Sequence, residues 1–342
     1  MVKTIGIVSL SKGAVGESFV KHEVERGLER LRKYGVSVKF MNNALKGIDF
    51  LKNHPEKRAD DLIQAFKDPE IDMILCAIGG DDTYRLLPYL FDNNELKKSL
   101  CNKIFLGFSD STINHFMLQK VGLNTFYGQA FLSDICEIAP DMLPYTKAYF
   151  EELLCTGKIR EVKSSPWWYK NRVHYEKEYM DTDLPPLPNS GYQLLQGEPV
   201  FSGKIYGGCL DTIFDMFDGH RYADSPGLCK KYDLFPSLET WKGNILLLET
   251  SEEKMSPEKY EKSLDYLKEA GIFNVIRGVI VGKPADEAFC DEYQRILLKK
   301  TKDVGISVVW NVNVGHALPR CILPLGVKAT VDVSKQTISF AY

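Results

Sequence analysis

Apolar and polar positions along the first 130 residues alternate between two periods. Short apolar runs at 4–9, 36–41, 73–78, 103–108 and 124–127 read as strands, and between them apolar positions recur at helical spacing. Over 17–33, Val20, Val24, Leu28 and Leu31 stand at i, i+4, i+8 and i+11, on one face of a helix. A second helix is expected over 55–66, with Leu62, Ile63 and Phe66 on its apolar side and Asp68-Pro69 as its stop. Further helices are expected over 83–90 and 111–121. Strands followed by helices at this spacing predict a parallel sheet covered on both faces.

The pattern dissolves between 157 and 191 into Ser164-Ser165-Pro166-Trp167-Trp168-Tyr169 and Asp183-Leu184-Pro185-Pro186-Leu187-Pro188-Asn189. A solvated linker has little use for adjacent tryptophans, so Trp167 and Trp168 either dock on a domain surface or form a flat platform for a planar ligand. Beyond it, short strands around 192–195 and 200–206 lead to a helix at 210–217. Strand 244–248, a helix opened by Ser256-Pro257, strand 275–281, a helix over 286–300 and strand 306–310 follow. In the helix after Ser256, serine at the N-cap and proline at the first position set the start, and Tyr260, Leu264 and Leu267 share a face. The tail alternates as a hairpin through Val327, Ala329, Val331, Val333, Ile338 and Phe340. The expected fold is α/β: a parallel-sheet domain over 1–160, an aromatic and proline-rich linker over 161–190, and a smaller α/β domain over 191–342.

Composition narrows the partners. With 342 residues, 44% of them hydrophobic, the chain can bury the cores of two domains, which excludes a disordered or fibrous protein. Lys plus Arg number 43 against 46 Asp plus Glu, a net charge of −3 without a long like-charge block, which argues against a nucleic-acid polymer or a membrane surface and for a small partner. The apolar run after Lys3 is too short for a secretory signal, and no later stretch approaches the ~18 apolar residues of a membrane span, so a cytoplasmic location is expected. Cys76, Cys101, Cys136, Cys155, Cys209, Cys229, Cys290 and Cys321 are scattered singly, without the paired spacing of zinc sites or disulfide scaffolds, and several lie in apolar runs, as Cys76 does, where a reduced thiol packs as a small hydrophobe.

Parallel sheets place their chemistry at the carboxyl ends of strands, where loops converge on a crevice. Three residues stand there. Ser109, in Gly107-Phe108-Ser109-Asp110-Ser111, has the strand-to-helix setting of a nucleophile elbow, with Ser111 where a second glycine is usual; helix capping by Ser109 or Asp110 is the competing reading. His316, between Gly315 and Ala317-Leu318-Pro319, sits in a loop where it is free to act as a general base. His115 competes, but six residues past Ser109 it falls on roughly the opposite face of the helix. Glu249 ends an apolar strand and either orients the histidine or is an ordinary strand-end acid. Gly79-Gly80-Asp81-Asp82 turns after a strand and offers amide donors; the two aspartates lack a further ligand for a metal, and a phosphate loop would need a lysine or more glycines.

These stretches resemble the serine LD-carboxypeptidase family, which includes the microcin C self-immunity peptidases. The likeness runs in consistent order through Arg58-Ala59-Asp60-Asp61-Leu62, Ile78-Gly79-Gly80-Asp81-Asp82-Thr83-Tyr84-Arg85, Gly107-Phe108-Ser109-Asp110, Thr125-Phe126-Tyr127-Gly128, Gly203-Lys204-Ile205-Tyr206-Gly207-Gly208-Cys209, Leu248-Glu249-Thr250-Ser251-Glu252 and Gly315-His316. It implies an N-terminal domain related to class I glutamine amidotransferases and a smaller C-terminal α/β domain, usually as a homodimer, with the site at their junction. It implies a triad of Ser109, Glu249 and His316, an oxyanion hole from the amides of Asp110 and Gly80, substrate contacts at Gly79 and Gly208, and no metal or organic cofactor. Two departures point toward the microcin-immunity branch, in which an aromatic stacks on the nucleobase of a peptidyl or aminoacyl nucleotide: Cys209 replaces an asparagine, and residues 164–189 are long and tryptophan-rich. Trp167 or Trp168 would take that role. The implied substrates are an LD-linked murein peptide or such a nucleotide conjugate. A non-catalytic sensor using the same cleft is the alternative, and amide transfer is disfavoured because no cysteine occupies the elbow.

Overall fold

Alternation along the buried strands shows how the chain covers both faces of its sheets. In the computed structural model, which describes residues 1–342, Ile74 and Cys76 of strand Met73–Cys76 enter one core while Met73 and Leu75 enter another. Leu246 and Leu248 of strand Ile245–Glu249 join the first core, and Ile245 and Leu247 the second. Each such side chain contributes roughly 1.5–3 kcal/mol by leaving water, so a strand buried on both faces is held far more strongly than an edge.

The first sheet has six strands in the order Leu323–Leu325, Thr125–Tyr127, Ile104–Gly107, Met73–Cys76, Thr4–Val8 and Ser37–Phe40. All neighbours are parallel except Leu323–Leu325, which comes from the far end of the chain and pairs antiparallel with Thr125–Tyr127. The second sheet has eight strands: Glu161–Lys163, Thr337–Ala341, Lys328–Asp332, Val200–Cys209, Ile245–Glu249, Gly278–Gly282, Ser307–Val312 and Gln193–Gln196. Its four central strands, Val200–Cys209 to Ser307–Val312, are parallel. No helix is long and apolar enough to cross a membrane.

Expected elements appear with shifted ends. The first helix occupies Lys21–Lys33, preceded by 3₁₀ turns at Ala14–Gly16 and Ser18–Val20. The helix expected over 83–90 is a 3₁₀ turn, Thr83–Leu86, followed by Leu87–Phe91 with Pro88 in its first turn. Ser256 caps Pro257–Glu269 as its sequence predicts, its hydroxyl accepting the Lys259 amide at 3.3 Å. Helix Pro144–Thr156 stands outside those expectations. It begins immediately after Leu143, with proline at its first position, and buries Thr146, Phe150, Leu153 and Leu154.

Residues 161–190 dock rather than dangle. Trp167–Trp168 pairs with Leu187–Pro188, Ser165 donates its amide to Asn313 Oδ1 at 2.9 Å, and Tyr169 bridges Leu318. The tryptophan segment is thereby fastened along both sides of the loop that carries His316.

Candidate active site

Residues from both sheets converge where their strands end. Ser109 follows Ile104–Gly107, Tyr127 ends Thr125–Tyr127, Glu249 ends Ile245–Glu249, and His316 lies four residues past Ser307–Val312. The structure brings Ser109, Glu249 and His316 into one relay. His316 Nε2 is 3.0 Å from Ser109 Oγ, and its Nδ1 is 2.7 Å from Glu249 Oε2. Glu249 is buried, and its Oε2 also accepts the His316 amide at 3.2 Å, which fixes both the loop and the ring. With a carboxylate on Nδ1, the proton belongs there, and Nε2 presents its lone pair to the hydroxyl.

The elbow is a backbone device. Ser109 has φ +64°, a left-handed conformation that costs a β-substituted residue strain and turns its side chain out of the strand. Helix Ser111–Lys120 starts two residues on, with the Thr112 amide bonded to the Ser109 carbonyl at 2.9 Å. Gly79 lies against this turn: a Cβ there would stand 2.7 Å from Ser109 Cβ and 2.8 Å from its Oγ. The Asp110 amide lies 3.4 Å from the same Gly79 Cβ position, and neither it nor the Gly80 amide donates to a backbone acceptor in the turns around them.

Arg58 holds the glycine turn from behind. Fully buried, it binds Asp82 through both terminal nitrogens at 2.6 and 3.2 Å and donates to the Leu10 carbonyl at 3.2 Å. Lys12 donates its amide to the Gly79 carbonyl at 3.1 Å, and the Asp81 amide reaches Ser11 Oγ at 3.0 Å. Breaking a buried pair of this kind costs about 3–5 kcal/mol, so the turn is firmly held from behind. Asp110 is buried beside it, accepts the Thr83 amide at 2.9 Å, and has its pKa pushed up to about 7, first by burial and then by the Asp82 and Asp81 charges, against the lowering effect of its hydrogen bonds.

On the other side, burial pulls the His316 pKa down, but the charge and hydrogen bond of Glu249, with the charge of Glu252, outweigh it and leave the imidazole above its ordinary value. Arg320, paired with buried Asp134 at 3.1 Å to both carboxylate oxygens, donates to the His316 carbonyl at 3.3 Å. Phe108 meets the imidazole edge-on at 5.0 Å.

Tyr127 is the residue that motif reasoning passed over. Its hydroxyl accepts the Ser109 amide at 3.1 Å and donates to Glu249 Oε1 at 2.6 Å, so it ties the elbow to the acid across the junction. The signal was present, since it stands at the carboxyl end of a strand by the same rule that singles out Ser109. His115, the competing base, is a core residue: buried, it bonds Thr125 Oγ1 at 2.8 Å and the Gly107 carbonyl at 3.0 Å, and burial lowers its pKa to about 4. Gly208 lies at the seam, where a Cβ would meet Thr112 Oγ1 at 2.5 Å and Tyr127 Cε2 at 2.8 Å. Trp168 is 6% exposed with the Lys283 ammonium 4.7 Å from its ring centre, whereas Trp167 is 47% exposed and offers an open face.

The donor atoms of Cys209, Glu249 and His316 lie within 4.8 Å of one another, the nearest approach to a metal-binding set. An ion there would have to displace the hydrogen bond between Glu249 and His316, and burial with the Glu249 charge raises the Cys209 pKa well above the ordinary thiol value, which disfavours the thiolate a metal needs. All eight cysteines are free thiols.

Comparison with known proteins places both halves of the chain in one family. Residues 5–128 match the LD-carboxypeptidase N-terminal domain and residues 202–331 the LD-carboxypeptidase C-terminal domain. A crystal structure of an MccF-like protein from Streptococcus pneumoniae in complex with AMP shares 57% identity, covers 100% of this chain and 99% of that one, and superposes with a TM-score of 0.99. The microcin C7 self-immunity protein MccF of Escherichia coli is 27% identical over 98% of this chain and 92% of its own. A Bacillus subtilis protein named "Probable murein peptide carboxypeptidase" is 25% identical over 92% of this chain and 86% of its own. With both halves matched in order and the two-domain α/β fold shared end to end, the chain belongs to the LD-carboxypeptidase family.

Proposed function

We propose that the chain is a serine carboxypeptidase that hydrolyses an aminoacyl- or peptidyl-nucleotide conjugate through an acyl-enzyme. The observation that carries this reading is the relay of Ser109, His316 and Glu249 at 3.0 and 2.7 Å. His316 Nε2 takes the Ser109 proton as Oγ attacks the acyl carbon. The oxyanion accepts hydrogen bonds from the Gly80 and Asp110 amides. The imidazolium, stabilised by Glu249, returns its proton to the leaving nitrogen, and the bond from acyl carbon to nitrogen breaks. Water, deprotonated by His316, then releases the acyl group and restores Ser109.

The nucleotide half of the proposal is supported by the AMP held by the 57% identical Streptococcus pneumoniae protein and by the open face of Trp167, on which a base would stack. The division of the triad between an N-terminal and a C-terminal domain, joined over 161–190, and a homodimeric assembly belong to the same reading. Mass spectrometry of products from an aminoacyl sulfamoyl adenosine and a D-alanine-terminated tetrapeptide, offered together, tests it. Release of the amino acid from the nucleoside conjugate is expected, absent with Ser109→Ala. Cleavage of the tetrapeptide alone would move the substrate to murein. Binding without turnover of either would favour a sensor.

A further inference from the structure

Glu252 is the carboxylate beside the reacting atoms that the relay does not use. Its Oε2 lies 3.1 Å from His316 Nε2, the nitrogen that also holds Ser109 Oγ at 3.0 Å. The other acids around the site are engaged. Glu249 holds His316 and Tyr127, Asp110 accepts the Thr83 amide, Asp211 accepts the Ser251 amide, and Glu253 pairs with Arg221. Glu252 pairs with no lysine or arginine, its side chain is 66% exposed, and His316 is the one titratable base within salt-bridge distance of it.

A lone carboxylate at that position works against hydrolysis in two ways. It favours the imidazolium, which cannot take the Ser109 proton, and it repels a substrate carboxylate near the scissile bond. Both effects are relieved by a substrate that brings its own positive charge. When an acyl carbon sits at attack distance from Ser109 Oγ, about 3–3.5 Å, the nitrogen on the adjoining carbon is only two bonds from the reacting atom, which an exposed carboxylate held 3.1 Å from His316 Nε2 can reach. In an aminoacyl conjugate that nitrogen is a free α-ammonium; in an N-acylated or peptidyl conjugate it is a neutral amide.

We propose that Glu252 is a specificity-determining residue that pairs with the free α-ammonium of the substrate's acyl residue. The pairing draws the carboxylate away from His316 Nε2 and leaves that nitrogen to the Ser109 hydroxyl. The chain therefore selects aminoacyl conjugates with an unblocked amine over their N-acylated counterparts. This inference rests on the acyl-transfer reading above.

The test compares an aminoacyl sulfamoyl adenosine with its N-acetyl derivative on the wild-type chain and on Glu252→Gln and Glu252→Asp, each checked for an unchanged melting profile. The wild type is expected to favour the free amine by tenfold or more in kcat/KM. In Glu252→Gln that ratio falls to within about threefold of one, mainly through a higher KM for the free-amine substrate, and Glu252→Asp recovers part of it. Equal preference in wild type and Glu252→Gln, or no preference in the wild type, overturns the inference while leaving the hydrolase reading intact. If the wild type turns over neither compound, the hydrolase reading fails, and calorimetric binding of both compounds to Ser109→Ala still decides the matter. Equal affinity there overturns the role of Glu252, and tighter binding of the free amine upholds it.

Discussion

Ser109 and His316 meet at 3.0 Å, yet the two halves of the molecule hold them by different means. The Ser109 hydroxyl is positioned by backbone: a positive φ, a strand on one side, a helix on the other, and a glycine turn pressed against it. The His316 imidazole sits in a loop and is positioned by polar side chains, with Glu249 on Nδ1 and Arg320 on its carbonyl. Steric changes should therefore damage the first half and charge changes the second. A hydroxyl needs only a fixed direction, which covalent geometry supplies. An imidazole that gains and loses a proton needs a countercharge that stays put in both states.

The largest expected effect is on the nucleophile. Ser109→Ala should keep its melting temperature and lose at least ~10³-fold in kcat, read from product release; activity within tenfold of wild type would break the assignment. Next comes Glu249→Gln, which keeps the shape of the acid and removes its charge. A loss of roughly 10²- to 10⁴-fold in kcat is expected. The pH profile supplies the sign. His316 acts as a base only when neutral, and its pKa is raised, so the acidic limb of kcat/KM in the wild type should lie above 6.5. Removing the Glu249 charge should move that limb to lower pH, and an unmoved limb would show that another group titrates.

Gly79→Ala tests the steric half. Its Cβ would stand 2.7 Å from Ser109 Cβ, so the elbow must shift, and a displacement of an ångström at a reacting atom costs on the order of 10²-fold. The limb of the pH profile should stay where it is, in contrast to Glu249→Gln. Tyr127→Phe touches both halves, since one hydroxyl serves the Ser109 amide and Glu249. About tenfold in kcat and about 1–3 kcal/mol of stability should be lost, measured by steady-state kinetics and denaturant unfolding. The smallest effect on activity belongs to His115→Leu, which should leave kcat nearly unchanged. Folded His115 titrates near 4 and a free imidazole near 6.5, so on acidification the unfolded chain takes up the proton first. Its contribution is complete above about 6.5 and is lost as the pH falls toward 4, a slope in the stability curve that the leucine variant should lack.

Much of this was legible beforehand, and the misses have physical reasons. The strand-end rule found Ser109, Glu249 and His316 because parallel strands point their carboxyl ends toward one crevice whatever the remaining sequence. Tyr127 escaped because its role exists only once Glu249 arrives from a strand more than a hundred residues later. Helix Pro144–Thr156 escaped because its buried residues include Thr146, and a polar residue dilutes the apolar face that periodicity detects. The tryptophans left two readings open. Packing separates them, with Trp168 under Lys283 and Trp167 facing outward, and adjacent residues of a strand must point opposite ways.

The sequence by itself determined the α/β class, the isolated cysteines, the near-neutral charge and the strand ends that meet at one crevice. Those follow from local periodicity, composition and the direction of a parallel strand. The tertiary structure alone decided that Leu323–Leu325 returns to the first sheet, that residues 165–169 lie along the His316 loop, and that Glu252 shares the His316 Nε2 nitrogen with Ser109 Oγ. Each joins residues far apart in the chain or brought together by a fold-back. No local pattern encodes a distance across such a gap; it is set by how the two sheets and the elements that cover them close their cores against one another.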